Sequence, residues 1–239
     1  MTALALLAVG LYDLARSLAP AAWSPGRAGR TALGAAVVGV LLGAAALAVV
    51  GPPWTSVAGA VLVACGALLA WGATGAERPR VLLGVVAALG LVGVLELGLG
   101  APEHRLAPAG LTMVAVAVAL AETANRITRA VLQLAGRRTG ESEAAPAAEA
   151  EPPLRGGRYI GPMERVLMVL LGLAHAWQVI AALMAAKGIV RFPEISADRG
   201  DGSRAEEFLV GSLASWGLAA VGGLLVWLSL GSPPFPAGG

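Results

Sequence analysis

Six long stretches of this chain carry almost no charge, and no other feature constrains its fold as much. A helix needs roughly 20 apolar residues to cross a hydrocarbon core about 30 Å thick. Residues 31–50 supply 20 without a charged side chain, 56–74 supply 19, 166–186 supply 21 and 208–230 supply 23. Residues 81–100 hold a single acid, Glu96, and residues 106–121 are apolar and continue helically past Glu122 toward residue 134. Glycine and proline separate the runs at 51–53, 75–79, 100–102 and 231–234, where helices stop.

Residues 1–19 are a seventh, shorter segment. They begin apolar but carry Asp13 and Arg16. A cleaved leader has its positive residues before the apolar core, and here no charge precedes Asp13. The reading is a short first transmembrane helix with its charged end at the interface; an amphipathic helix lying on the membrane is the alternative. The expected fold is all-α, a polytopic helical membrane protein with about seven transmembrane helices.

Composition agrees. Hydrophobic residues make up 57% of the chain and charged residues 13%, against about 25% charged in a soluble domain. That excludes a soluble enzyme and a disordered chain. Seventeen bases against fifteen acids offer no surface that tracks phosphates, so no nucleic-acid partner is expected. Cys65 is the single cysteine, and His104 and His175 lie far apart, so neither a disulfide nor a metal site is expected. Nucleotide-loop, metalloprotease, nucleophile-elbow and dinucleotide fingerprints are missing, so no catalytic residue and no cofactor is assigned. Abundant Ala, Gly and Arg point to a GC-rich bacterial genome, and hence to the plasma membrane of a bacterium.

The soluble stretch 137–158, rich in Ala, Pro and Glu, reads as a flexible cytoplasmic linker. It divides a five-span N-terminal membrane module (1–136) from a two-span C-terminal module with a charged hairpin (159–239). With seven spans, twelve of the seventeen bases fall on one side and five on the other. The positive-inside rule then sets the N-terminus outside and the C-terminus in the cytoplasm. The segment 187–207 becomes an external loop, although it holds four bases and five acids, an unusual load for that side.

Three motifs carry a resemblance. Residues 157–167 (GRYIGPMERVL) open the sixth run, 185–195 (AAKGIVRFPEI) close it, and 205–213 (AEEFLVGSL) open the seventh. With the Ala124-Asn125-Arg126 stretch, residues 122–227 resemble the C-terminal half of an uncharacterised bacterial integral membrane protein family, the DUF3307 type. Gly188 stands where that pattern has Ser, and Glu207 where it has Tyr. The family's N-terminal histidine/aspartate motif is absent. The resemblance implies a membrane location and no known activity.

Ionisable groups in lipid are costly unless paired, hydrated or extended to the interface. Glu96 reads either as a carboxylate that extends outward to the interface or pairs with Arg105, or as a protonatable group on a transport path. Glu122 and Arg126, and Asn125 and Arg129, are spaced i,i+4 and share one helix face. They read as a helix end leaving the membrane, or as a network with Glu164 and Arg165 that docks the two modules. His175 and Gln178 sit on a stripe with Glu164, Met168, Leu171 and Ala182, either as interhelical hydrogen-bonding groups or as a site facing a cavity. Lys187, Arg191 and Glu194, and then Glu206 and Glu207, flank the 187–207 loop. Lys187 and Arg191 pair with those acids or hold an anionic lipid. Gly39 and Gly43 form a GxxxG step that favours close helix packing and permits oligomers.

The leading functional reading is a non-enzymatic accessory or scaffold subunit of a membrane assembly, a homo-oligomer or part of a larger complex. A small transporter using Glu96 and His175/Gln178 is the second. A membrane enzyme acting on lipid headgroups through Lys187 and Arg191 is the third.

Overall fold

The computed structural model describes residues 1–50, 52–74, 78–99, 107–136, 157–196 and 203–231. Every regular element among them is helical. The helices are α1 (Thr2–Ser17), α2 (Pro25–Val50), α3 (Trp54–Ala73), α4 (Pro79–Leu99), α5 (Ala109–Val118), α6 (Ala124–Leu134), α7 (Gly157–Leu173), α8 (Trp177–Ser196) and α9 (Ser203–Ser229). A five-residue π-helical turn, Ala119–Thr123, joins α5 to α6, so these three form one rod. Prolines set several starts. Pro25 and Pro79 take first helical positions, and Pro53 and Pro108 precede α3 and α5, where a missing N–H costs nothing. Among the described residues, five helical segments are long and apolar enough to cross a membrane: Pro25–Val50, Trp54–Ala73, Pro79–Leu97, Ala109–Leu134 and Ala205–Ser229.

Helix α1 is the centre of the molecule. It packs against α2, α3, α4, α5 and the π turn. Leu4, Ala5, Ala8 and Val9 on it are at most 1% exposed. This excludes a helix lying on the surface. The packing is achieved with small side chains. Ala32 and Ala36 of α2 and Ala60 and Ala64 of α3 are buried, whereas Leu41, Leu42, Val49, Leu62 and Leu69 point outward. A soluble protein shows the reverse; small residues within and large apolar residues without is the pattern of helices packed in lipid.

Two glycine sites show how close the helices come. A Cβ on Gly10 would lie 2.9 Å from the Ala119 backbone nitrogen, so α1 meets the π turn backbone to backbone. On α2, Gly39 and Gly43 face Leu11 and Leu4 of α1, where a Cβ would clash at 2.1 and 2.5 Å. The GxxxG step is therefore occupied inside the chain, against α1.

The expected sixth span, 166–186, is not one helix. It is cut at residues 174–176 between α7 and α8. His175 adopts φ +57°. The Ala176 N–H donates to Leu171 O at 2.9 Å and the His175 N–H to Gly172 O at 3.0 Å. These 6→1 and 5→2 bonds make a Schellman ending, with histidine in the left-handed position that glycine usually fills. The chain then turns back. Lys187 on α8 donates to Glu164 on α7 at 2.6 Å, so the two helices form an antiparallel hairpin.

The hairpin rests on α9 through α7. A Cβ on Gly223 of α9 would meet Val169 of α7, one on Gly222 would meet Val116 and Leu120, and Gly211 lies against Leu132 of α6. Helix α9 thus runs antiparallel to the α5–α6 rod, and its start lies beside the end of α6. Along α8, Trp177, Val179, Ile189, Val190 and Phe192 are exposed.

Candidate functional site

The polar residues inside this apolar framework form four sets of interhelical contacts. The first is centred on Asp13, 7% exposed on α1. Its Oδ2 accepts from Trp71 Nε1 of α3 and from Thr123 Oγ1 of the π turn, both at 2.9 Å. Its Oδ1 accepts from Arg126 Nη1 of α6 at 3.0 Å. Arg126 continues to Thr74, donating to its hydroxyl at 2.8 Å and to its carbonyl. The guanidinium also lies over the Trp71 ring, 4.9 Å from the centroid, a favourable cation–π placement. Three helical rods are joined through one carboxylate.

The second set exploits the π turn. The i→i+5 register is visible where the Ala124 N–H donates to Ala119 O. A π turn widens the helix and turns carbonyls outward, which is why such turns recur where a helix must receive something. Arg165, 2% exposed on α7, fills that position. Its Nε donates to Leu120 O at 2.7 Å and its Nη2 to Ala121 O at 2.9 Å. Nη2 also donates to Asn125 Oδ1 at 2.6 Å, and Nη1 donates to Ser215 Oγ of α9 at 3.0 Å. Asn125 Nδ2 in turn donates to Glu122 Oε2 at 3.3 Å.

The third set holds the hairpin. Glu164 Oε2 accepts from Lys187 and its Oε1 from Trp216 Nε1 of α9 at 2.9 Å. The Lys187 ammonium lies 5.5 Å from the centre of the Trp216 ring. Glu164 and Arg165 are neighbours, but one residue is about 100° of helix rotation, so they serve opposite sides of α7. The fourth set is at the other end of the bundle. Glu96 of α4 accepts from the Thr2 N–H at 2.8 Å and the Thr2 hydroxyl at 2.7 Å, and pairs with the Met1 amine. A carboxylate there satisfies the first amide of α1, that of Thr2, and complements the positive end of its dipole.

Several expectations change. Glu96 is bound to the start of α1; the expected partner, Arg105, lies outside the described residues. The common face of Glu122, Asn125, Arg126 and Arg129 divides: Asn125 serves Arg165, whereas Glu122, Arg126 and Arg129 line a cavity beside α1. Arg165, Asn125 and Glu122 are joined in a row by hydrogen bonds, and Glu164 makes its contacts elsewhere. Lys187 pairs with Glu164 and not with the acids of α9. Arg191, Glu206 and Glu207 are exposed. The Glu194 side chain lies outside the described residues, as does the linker 137–156. The stripe from Glu164 to Ala182 is broken at residues 174–176. His175 and Gln178 are both exposed at the hairpin turn, and His175 meets Trp177 edge to face with centroids 6.1 Å apart.

Asp13, Trp71, Thr74 and Thr123 were not among the expected site residues. The signal for Asp13 was available: a lone acid within a helix that the bundle surrounds must have a buried partner. Trp216 and Ser215 had no comparable sign. Among the described residues, no group of three or more His, Cys, Asp or Glu side chains is placed to hold a metal.

Two cavities flank these contacts. One, of about 300 Å³, lies where α1 and α3 end and α4 begins, lined by Asp13, Arg16, Thr74, Glu122, Arg126 and Arg129 among others. The other, of about 350 Å³, is mostly apolar and lies under the hairpin turn, against His175, Trp177, Gly223 and Trp227. No protein-family model, curated protein or solved structure matches this chain.

Proposed function

We propose that this protein is a non-enzymatic scaffold or accessory component of a membrane assembly, acting as a homo-oligomer or as a subunit of a larger complex. One observation carries the reading. Asp13, Glu96 and Glu164 each have both carboxylate oxygens occupied by donors from other segments of the fold. Carboxylates that carry protons or cations through a bilayer face a cavity or a water path. Glu96 and Glu164 line neither of the two cavities and fasten helix to helix; Asp13, at the wall of the cavity beside α1, does the same with both oxygens taken. The experiment is purification in a gentle detergent after cross-linking. A stable homo-oligomer or a stoichiometric partner is expected. A monomer that moves a solute in vesicles, with flux lost in Glu96→Gln, would contradict the proposal and favour a transporter.

The proposal includes a topology in a bacterial plasma membrane. Six helical rods cross: α1, α2, α3, α4, the α5–α6 rod and α9. The α7–α8 hairpin enters and leaves on one side. What supports this is the antiparallel pairing of Glu164 with Lys187 and the placement of the start of α9 beside the end of α6. By sequence position, sixteen of the seventeen bases then belong to one side, with Arg105 alone on the other. That asymmetry is far steeper than with seven spans and assigns the sixteen to the cytoplasm. Both termini are then outside, and residues 187–207 are cytoplasmic. The likeness of residues 122–227 to the uncharacterised bacterial family is part of this reading. Its motif residues Glu164, Arg165 and Lys187 are the ones that hold the hairpin.

A further inference from the structure

The cavity beside α1 has a charge arrangement that the fastening role leaves unexplained. Arg126 is committed to Asp13 and Thr74. Two further guanidiniums line the same cavity of about 300 Å³, Arg16 from the last turn of α1 and Arg129 from α6. Arg16 has a single weak contact, to the Tyr12 hydroxyl at 3.4 Å. No carboxylate pairs with Arg16 or Arg129 among the described residues. Both side chains are exposed at the rim. The α6 residues Glu122, Arg126, Arg129 and Gln133 recur at intervals of four, three and four, which places them on one face, and all four line the cavity.

Among the described residues, three guanidiniums and two carboxylates therefore line this one cavity, with one positive charge in excess and two of the guanidiniums without a paired acid. Like charges in a confined space repel unless an anion lies between them. A planar guanidinium presents paired donors that match the oxygens of a phosphate. A phosphate monoester carries close to two negative charges near neutral pH, which answers two unpaired guanidiniums. We propose that this cavity binds a phosphate monoester, with Arg16 and Arg129 as its principal ligands, Arg126 as a fixed positive background and Gln133 as a neutral neighbour. The cavity lies at the ends of α1 and α3, where a lipid phosphate and a soluble phosphate both have access. This site is independent of the scaffold reading.

The test uses the full-length protein and two probes. One is inorganic phosphate added to protein in detergent; the other is phosphatidic acid in nanodiscs of otherwise zwitterionic lipid. Binding is read by native mass spectrometry and by the unfolding midpoint, for wild type, for Arg16→Gln/Arg129→Gln, and for Arg27→Gln/Arg30→Gln, which removes the same charge outside the cavity. The cavity variant should bind at least about tenfold more weakly, the scale of one charge-assisted hydrogen bond, with the control unchanged. Response to phosphatidic acid alone identifies a lipid source, and response to inorganic phosphate identifies a soluble one; either supports the site. Equal losses in both variants, no loss in the cavity variant, or no binding of either probe would overturn it. If the double variant does not purify, Arg129→Gln alone carries the same comparison.

Discussion

The α1 bundle and the α7–α8 hairpin are held by different means. Around α1, alanine and glycine bring backbones together, as at Gly10, Gly39 and Gly43, and one buried ionic cluster ties α1, α3 and α6. The hairpin has no such interior. Its outer arm α8 is largely exposed, and the Glu164–Lys187 ion pair with Trp216 ties its middle to α7 and α9. Lipid gives no hydrophobic drive for helices to associate, so close packing or polar contacts must supply it. The bundle has both, α7 has both against its neighbours, and α8 depends on the polar contacts. The difference implies that α8 is the part of the molecule able to loosen on its own.

The largest expected effect tests the bundle. Asp13→Ala leaves the partly buried Arg126 without its counter-charge and the buried Trp71 and Thr123 donors without their acceptor, at about 1–3 kcal/mol for each unsatisfied buried group. The yield of folded protein should collapse, and Arg126→Met in the same chain should restore part of it. A thermal midpoint unchanged in Asp13→Ala would remove the ionic centre from the account.

Next is the joint between the two regions. Arg165→Met leaves three carbonyl acceptors without their donor, at about 1–3 kcal/mol for an unsatisfied buried group. Hydrogen exchange should rise in α7 and α9 while α1 to α4 stay protected. Exchange rising uniformly would mean that the two regions are not separable.

Smaller still, Lys187→Met breaks the hairpin ion pair, which is partly exposed; about 1 kcal/mol is expected, with faster exchange confined to α8. The smallest effect is at the turn. His175→Gly should be neutral or slightly stabilising and His175→Val destabilising by roughly 1–2 kcal/mol, because a left-handed conformation is strained for a residue with a Cβ. Equal midpoints for the two would contradict the Schellman ending.

How much of this was legible follows the same division. The runs 31–50, 56–74, 81–100 and 208–230 are helices close to those bounds because Gly and Pro mark their ends. The GxxxG step was readable as a packing face, and α1 as a helix, though not as the central one. The hairpin was hidden because its turn contains neither glycine nor proline at residues 174–176, and an unbroken apolar run reads as one helix. The π turn was hidden because Ala119–Thr123 has ordinary helix formers; only Arg165, from 40 or more positions away, gives it a role. Glu164, Arg165 and Lys187 were recognisable as charges, and Asn125 as a polar group, beside apolar runs. That Lys187 meets Glu164 depends on the reversal at His175, whereas Arg165 meets Asn125 without it.

That reversal is most directly tested by accessibility. In a Cys65→Ser background, single cysteines at positions 27, 52, 191 and 231 are labelled with a membrane-impermeant maleimide in intact cells, and again after permeabilisation. The account predicts that position 191 behaves like position 27, and that position 231 behaves like position 52, on the opposite side. Position 191 grouping with 52, and 231 with 27, would mean that residues 166–186 cross the membrane once and that the hairpin does not exist.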